Sequence, residues 1–388
     1  MEQIASVAEI MRDFADSTGL SSKRNPPRRY LWTDSFALCN FLGLFRETGE
    51  EIWRGLALRL VDQVHHTLGR HRDDDQRMGW ISGFDVNEGE EHPTSGGLRI
   101  GKKLHERKRW EPYNERLEWE RDGQYYHYLT KWMHAMNGVA LATGDPAYLR
   151  WAMELAKTAH SKFIYLHPGT GRKRLYWKMS IDLSYPLVLS MGQHDPLDGI
   201  VTYSELQATA KREFRKSTLP DLDAMISDMG EICREEDWST NDPLGIGGLL
   251  YDAWRIAQLA ERGAFPEHGL LEMVLDAAIS GLESFAGDNP LKYRARQRLA
   301  FRELGLSIGL KTMERMRAFI SECPDSFDSE GTILRKIDLL SGYAPMGRLI
   351  ERFWLDGKNR EEGNWREHED INMVMLATSL APDGFLYV

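Results

Sequence analysis

The sequence predicts an all-α fold in which six helical hairpins close into a ring, an (α/α)6 toroid. Apolar residues recur with helical spacing along most of the 388-residue chain. Alternating runs typical of strands are short and few. A helix pair cannot bury its apolar faces alone, and no sharp repeat consensus indicates a regular open solenoid. A closed ring would bury those faces and leave a central funnel, which is a natural ligand site.

The predicted helices pair along the chain, and turn residues mark where each pair reverses. The first hairpin joins residues 30–46 to residues 51–68. In the second, a long aromatic-rich helix at 124–142 precedes Asp145-Pro146, a dipeptide that favours the start of the next helix at 147–163. The other predicted helices are 178–191 paired with 198–214, 244–261 with 267–286, 294–309 with 312–323, 333–354 with 365–380, and an extra helix at 221–234.

One long segment, residues 70–123, does not fit a helix pair. It is rich in glycine, charge and aromatic residues. A loop of this length within a compact domain is usually functional or disordered, and its tryptophans favour order. We therefore interpret 70–123 as a lid segment within a single domain that covers 1–388. We also expect short β-ribbons at 84–86 and 174–177.

Composition and charge disfavour several functional classes. Lys and Arg number 49 against 59 Asp and Glu, and the resulting formal net charge of -10 disfavours general binding to nucleic acid or anionic lipid. The 3 cysteines lack the spacing of a disulfide framework or a zinc cluster. Neither a membrane-spanning run nor a signal peptide is visible. We expect a cytoplasmic protein without metal or other cofactor, of unspecified oligomeric state.

Tryptophan is abundant, with 12 residues beside 14 tyrosines and 14 phenylalanines. A large core would explain this number. A second explanation is a cleft whose flat apolar walls stack against sugar rings. For that cleft we single out Trp32, Trp80, Trp177 and Trp365.

Two predicted helices carry polar stripes with positions i, i+4 and i+7 on one face: His127, Lys131 and His134 on the first, and Lys178, Asp182 and Tyr185 on the second. The first helix is otherwise apolar almost all round, so its stripe must point at partners or at a wet cavity. Such groups could serve as general acid, general base and hydroxyl-binding groups. Ordinary core or surface stripes would show the same spacing.

Two further clusters carry candidate site residues. The lid segment contributes carboxylates and arginines, namely Asp85, Arg99, Arg116, Glu118 and Asp122. Its carboxylates could act as acid or base, and its arginines could bind a uronate, sulfate or phosphate, unless these charges simply neutralise one another. Near the C-terminus, His368 and Asn372 share a helix face beside Trp365. That imidazole could act on a stacked sugar, although a solvated helix start is the alternative.

Two stretches around the second predicted hairpin are distinctive: residues 132–136 read WMHAM, and residues 142–149 read ATGDPAYL. They resemble the N-acylglucosamine 2-epimerase superfamily. The resemblance implies an (α/α)6 barrel, as in many six-hairpin glycosidases, with His134 facing the sugar. It also relates His368 to a C-terminal catalytic histidine of that family. The family's middle helix usually carries a histidine, and the corresponding residues 247–254 contain none.

We predict a carbohydrate-active enzyme that acts on a sugar or short glycan. Because the middle histidine is missing, we favour hydrolysis or lysis of a glycosidic bond, with Asp122 or Asp182 as acid or base and His134 holding hydroxyl groups. A sugar epimerase in which His134 and His368 share the proton transfer is the second hypothesis. A non-catalytic helical scaffold that binds protein is the third.

Overall fold

The computed structural model describes residues 2–21, 25–234, 236–267, 269–327 and 329–388. Its α-helices are α1 (Glu2–Ser17), α2 (Leu31–Thr48), α3 (Glu51–Leu68), α4 (Val86–Glu91), α5 (Glu115–Glu120), α6 (Tyr126–Thr143), α7 (Pro146–Phe163), α8 (Asp195–Arg212), α9 (Asp223–Cys233), α10 (Pro243–Glu261), α11 (Leu270–Asp288), α12 (Ala300–Leu310), α13 (Thr312–Glu322), α14 (Glu330–Ser341), α15 (Ala344–Leu355), α16 (Gly357–Arg360), α17 (Gly363–Glu367), α18 (Glu369–Leu380) and α19 (Asp383–Leu386). Short 3-10 helices lie at Pro290–Lys292, Ala295–Gln297 and Pro324–Ser326. None of the helices in these ranges is both long and apolar enough to cross a membrane.

The strands are short and antiparallel: β1 (Gln124–Tyr125), β2 (Ile164–Leu166), β3 (Lys173–Leu175), β4 (Lys178–Met179) and β5 (Pro186–Val188). They form one sheet in the order β1-β4-β5 and a separate β2-β3 pair. In the first sheet Tyr125 lies opposite Lys178, and Lys178 lies opposite Val188. The β2-β3 pair confirms the ribbon predicted near 174–177.

The chain divides into two compact units, of which the first is Ala15–Cys233. Its helices α2, α6 and α8 are buried on nearly all sides. In this unit α2 packs against α6, and α6 packs against α8. The amphipathic helices α3, α7 and α9 pack against α2, α6 and α8, respectively. The first two predicted hairpins are therefore confirmed.

The second unit is Arg234–Val388 together with the N-terminal residues up to Phe14. Here the buried helices are α10, α12 and α18. Helix α10 packs closely on α12 because Gly247 lies against Gly305, where an added Cβ would come 2.2 Å from the Gly305 carbonyl oxygen. Gly247 is therefore a helix-packing residue.

Three sequence predictions were wrong in detail. Residues 178–191 form the β4-β5 hairpin instead of a helix, because Pro186 cannot continue a helix and apolar residues alternate from Met179 onwards. Residues 84–86 form no ribbon, since the Asp85 side chain accepts a hydrogen bond from Glu88 N and caps α4. The predicted helix 333–354 is broken into α14 and α15.

Candidate functional site at the start of α6 and α8

The polar stripe of α6 faces an acidic stripe of α8 within the first unit. Three acid–base pairs join the helices: His127 with Asp195 (Nδ1 to Oδ1, 3.4 Å), Lys131 with Asp198, and His134 with Glu205 (Nδ1 to either carboxylate oxygen, 2.9 Å). The first of these pairs is the most exposed. The His127 side chain is 23% exposed, whereas those of Lys131 and His134 are 1% and 3% exposed. The His127–Asp195 pair is therefore the one placed to meet a ligand.

The two deeper pairs are held by further hydrogen bonds. Asn137 Nδ2 donates to Glu205 Oε1 at 2.8 Å, so this carboxylate binds both Asn137 and His134. Lys131 and Asp198 are both buried, and their ion pair compensates two charges removed from water. These contacts fix α6 against α8 and so hold the orientation of the His127–Asp195 pair.

The His127–Asp195 pair has unused hydrogen-bonding capacity. Within the described part of the chain, Asp195 Oδ2 is a buried atom without a hydrogen-bond partner, and His127 Nδ1 lies 3.4 Å from Asp195 Oδ1 without forming a hydrogen bond. Asp195 lies in the first turn of α8, where the helix dipole favours a negative charge. Because buried polar atoms are nearly always bonded, this pair is suited to a polar ligand.

Aromatic rings surround the pair and form what we call the aromatic wall: Tyr30, Trp32, Tyr125 and Tyr128. The Trp32 ring centroid lies 5.9 Å from that of His127, and the Tyr125 centroid lies 5.5 Å from it. The hydroxyl groups of Tyr30 and Tyr128 are 2.7 Å apart. Burial raises the pKa of Tyr30 to about 12, although the hydrogen bond with Tyr128 acts in the opposite direction. Tyr30 therefore stays protonated and can donate a hydrogen bond.

Lys178, predicted to bind substrate, instead joins strand β4 to the lid segment. Its Nζ donates to Glu118 O (2.6 Å), Glu118 Oε1 (3.0 Å) and Arg121 O (2.8 Å). The other oxygen of Glu118 accepts a hydrogen bond from Arg107 Nε at 2.9 Å. Burial lowers the pKa of Lys178 to about 8, partly offset by the charge of Glu118. All three ammonium hydrogens are used within the protein.

Asp122 and Arg99 form a second internal connection of the lid segment. Asp122 is fully buried, and its Oδ2 accepts a hydrogen bond from Arg99 NH1 at 2.7 Å. Its Oδ1 accepts from the backbone amides of Gly101, Lys102 and Gly123. The remaining Arg99 donors bind backbone carbonyl oxygens. The hydrogen-bonding groups of both side chains are therefore engaged within the protein.

Asp182 and Tyr185 lie in the loop between β4 and β5. Asp182 accepts hydrogen bonds from Ser180 Oγ and Ser184 Oγ and pairs with Arg77 at 3.2 Å. Burial alone would raise the pKa of Asp182, but the serine hydrogen bonds and the arginine charge together lower it. Tyr185 donates its hydroxyl hydrogen to Arg107 O. Asp182 is thus an ionised, half-buried carboxylate.

Three other predicted residues of the lid segment occupy different surroundings. Trp80 is buried and its ring packs under Gly89, where a Cβ would come 2.1 Å from the indole. Asp85 is the exposed cap of α4, and Arg116 is exposed on α5. The structure does not bring these three side chains to the His127–Asp195 pair.

The C-terminal candidates belong to the second unit. His368 is exposed at the N-terminal cap of α18, with its ring centroid 5.5 Å from that of Phe301. Trp365 is buried and stacks on Trp354 at 5.7 Å. Asn372 is buried and bonds Phe301 N and Trp365 O. Trp365 and Asn372 are therefore engaged in packing this end of α18.

Comparisons with known proteins give no match among protein-family models or among curated proteins. Solved structures do match. A sugar epimerase from a ruminal bacterium is 10% identical with a TM-score of 0.50, covering 97% of this chain and 98% of that chain. A GH76 alpha-mannanase from Bacteroides thetaiotaomicron is 10% identical with a TM-score of 0.53, covering 98% and 96%. A cellobiose 2-epimerase from Spirochaeta thermophila is 14% identical with a TM-score of 0.48, covering 98% of each chain.

The chain has the six-hairpin (α/α)6 fold. The predicted fold class is confirmed. At sequence identities of 10%, these similarities show the fold alone. Helix α10 includes residues 247–254, which contain no histidine but do contain Asp252. Asp252 is buried and pairs with Arg255 at 3.0 Å. Among the described residues, no group of three or more His, Cys, Asp or Glu side chains is arranged to hold a metal ion.

Sequence reasoning missed the acidic partners on α8. Asp195, Asp198 and Glu205 are separated by three and seven residues, which places them on one helical face. The same spacing argument that identified the α6 stripe could have found them. The tyrosines of the aromatic wall left no comparable signal, because Tyr30 precedes α2 whereas Tyr125 and Tyr128 lie at the start of α6.

Proposed function

We propose that this protein is a carbohydrate-active enzyme that cleaves a glycosidic bond, by hydrolysis or lysis, at the His127–Asp195 pair. The observation that carries the proposal is the unused hydrogen-bonding capacity of that pair beside the aromatic wall. The fold shared with a mannanase and a sugar epimerase supports a carbohydrate as the small-molecule partner. Because a fold does not by itself determine the reaction, the proposed reaction is argued from the residues of the site.

In this proposal the groups of the site have complementary tasks. The half-buried Tyr30 and Tyr128 of the aromatic wall would pack against the apolar face of a sugar, and their hydroxyl groups would bind its hydroxyls. His127 would act as the general acid and donate a proton to the leaving glycosidic oxygen. Asp195 would orient this imidazole through Oδ1, and its Oδ2 would accept a proton either from the water that adds to the sugar carbon as the glycosidic bond breaks, or, in lysis, from a sugar carbon as a double bond forms.

The sequence-predicted catalytic residues take supporting tasks in this proposal. His134, bound to Glu205, keeps α6 in place next to the site. Asp182 is the second candidate carboxylate, because it is half-buried and ionised. Asp122 holds the lid segment together through Arg99.

Release of reducing ends from mannan and cello-oligosaccharides tests the proposal. We expect His127→Gln and Asp195→Asn each to lower the rate roughly 10²–10⁴-fold, the range for removal of a proton-transfer group. His105→Gln is the matched control, because His105 is exposed and pairs with Asp74 in the lid segment. Full activity in both site variants would refute the assignment.

Epimerisation is the second candidate, favoured by the fold shared with a sugar epimerase. Incorporation of solvent deuterium into the sugar, seen by NMR without loss of a glycosidic bond, would support it. A helical scaffold that binds protein predicts neither signal.

A further inference from the structure

The aromatic wall continues outwards through two tryptophans. The Trp177 ring centroid lies 5.2 Å from that of Tyr125, a member of the wall. Trp119, on helix α5 of the lid segment, lies 4.8 Å from Trp177 at an interplanar angle of 73°. In such an edge-to-face contact each indole keeps at least one flat face uncovered by the other. The rings thus form a continuous path from the His127–Asp195 pair to the protein surface.

Trp119 remains exposed although its backbone is fixed. Its side chain is 45% exposed. The carbonyl oxygens of its neighbours Glu118 and Arg121 accept hydrogen bonds from Lys178, the residue that follows Trp177. Lys102 donates to the carbonyl oxygen of Trp119 itself. The two indoles are therefore held side by side by one set of internal contacts, as a preorganised binding surface requires.

We propose that Trp119 and Trp177 form an outer sugar subsite, so that the substrate is an oligosaccharide chain and not a free monosaccharide. This inference rests on the proposed function and specifies its substrate class. One sugar unit would lie against the aromatic wall, and the next unit would stack on the exposed indole surface. Lys178 pairs with Glu118, and Arg99 pairs with Asp122, so these buried charges near the path do not call for a charged sugar.

A chain-length comparison tests the outer subsite. The probes are mannose, an α-linked mannotetraose, glucose and cellotetraose, titrated calorimetrically against the full-length protein. We expect at least one tetrasaccharide to bind about 3- to 10-fold more tightly than its monosaccharide, the range for one added stacking contact. Trp119→Ala should abolish that gain and leave the monosaccharide affinity unchanged.

Two variants control for loss of folding and for non-specific contact. Trp119→Tyr keeps an aromatic ring and should retain most of the gain. Trp110→Ala removes a tryptophan that is 82% exposed in the same lid segment but lies outside the path, and it should change nothing.

The remaining outcomes separate the two proposals. If Trp119→Ala keeps the gain, or weakens the monosaccharide equally, the outer subsite is refuted while the proposed function stands. If none of the four sugars binds the unmodified protein, the proposed function fails and the outer subsite fails with it.

Discussion

At the scale of single residues, the partners of a charge determine whether it can act on a ligand. Asp122 and the His127–Asp195 pair show the contrast. Asp122 is fully buried and both of its oxygens accept hydrogen bonds, whereas the pair keeps unused capacity and a partly exposed imidazole. Residue type and spacing alone made Asp122 as attractive a candidate as any other carboxylate of the chain.

Asp122→Asn distinguishes an anchoring role from a catalytic one. Removing the negative charge leaves the Arg99 guanidinium buried without a counter-ion, so we expect the free energy of unfolding to fall by about 3–5 kcal/mol. Denaturant unfolding followed by circular dichroism measures the change. Asp85→Asn is the matched control, because asparagine caps a helix as well as aspartate does. An unchanged stability with a 10²-fold slower reaction would instead favour catalysis.

The sequence could not show which charges neutralise one another. Arg99 meets Asp122 across 23 residues, and Lys178 meets Glu118 across 60. Such pairs form only when tertiary folding brings distant segments together, so no periodic pattern in the local sequence predicts them. The α6 stripe was predictable because its members are one and two helical turns apart, which is a local property.

At the scale of elements, helix packing explains several features of the sequence. The long buried helices were predicted well, since apolar residues on nearly all sides leave no other stable arrangement. The segment 178–191 was mistaken for a helix because Lys178, Asp182 and Tyr185 match helical spacing by coincidence. Pro186 and the alternation of Met179, Ile181 and Leu183 were the stronger local signals.

Gly247→Ala tests the close packing of α10 on α12. The new methyl group would meet the backbone of Gly305 at 2.2 Å, so the helices must separate, and we expect a destabilisation of about 1–3 kcal/mol or more. Gly55→Ala in α3 is the matched control. No atom lies within 4 Å of its added Cβ, and we expect it to stabilise the helix by about 0.5–1 kcal/mol. Equal thermal shifts in the two variants would contradict this account.

At the scale of the whole molecule, one buried imidazole makes the fold sensitive to acid. Burial lowers the pKa of His65 to about 3, and the charge of His66 lowers it further. The unfolded chain, with a histidine pKa near 6.5, binds more protons between these values. Stability is therefore complete above about pH 6.5 and is lost as the pH falls towards 3.

Denaturant unfolding at a series of pH values measures this loss. We expect His65 to contribute a slope of about 1.4 kcal/mol per pH unit below pH 6. His65→Gln should flatten the profile, since glutamine can accept the Trp132 indole hydrogen bond without titrating. His105→Gln, at an exposed site, should retain the original slope. Identical profiles for all three proteins would contradict the assignment to His65.

The bonding of Lys178 has a consequence for how a sugar arrives. Its ammonium group ties strand β4 to two carbonyl oxygens that flank Trp119, and Asp122 ties the same segment at a second point. Because it is held at two points, this part of the lid segment is expected to keep one conformation and not to open and close. We therefore expect diffusion, and not a conformational opening of the lid segment, to limit the rate at which substrate associates.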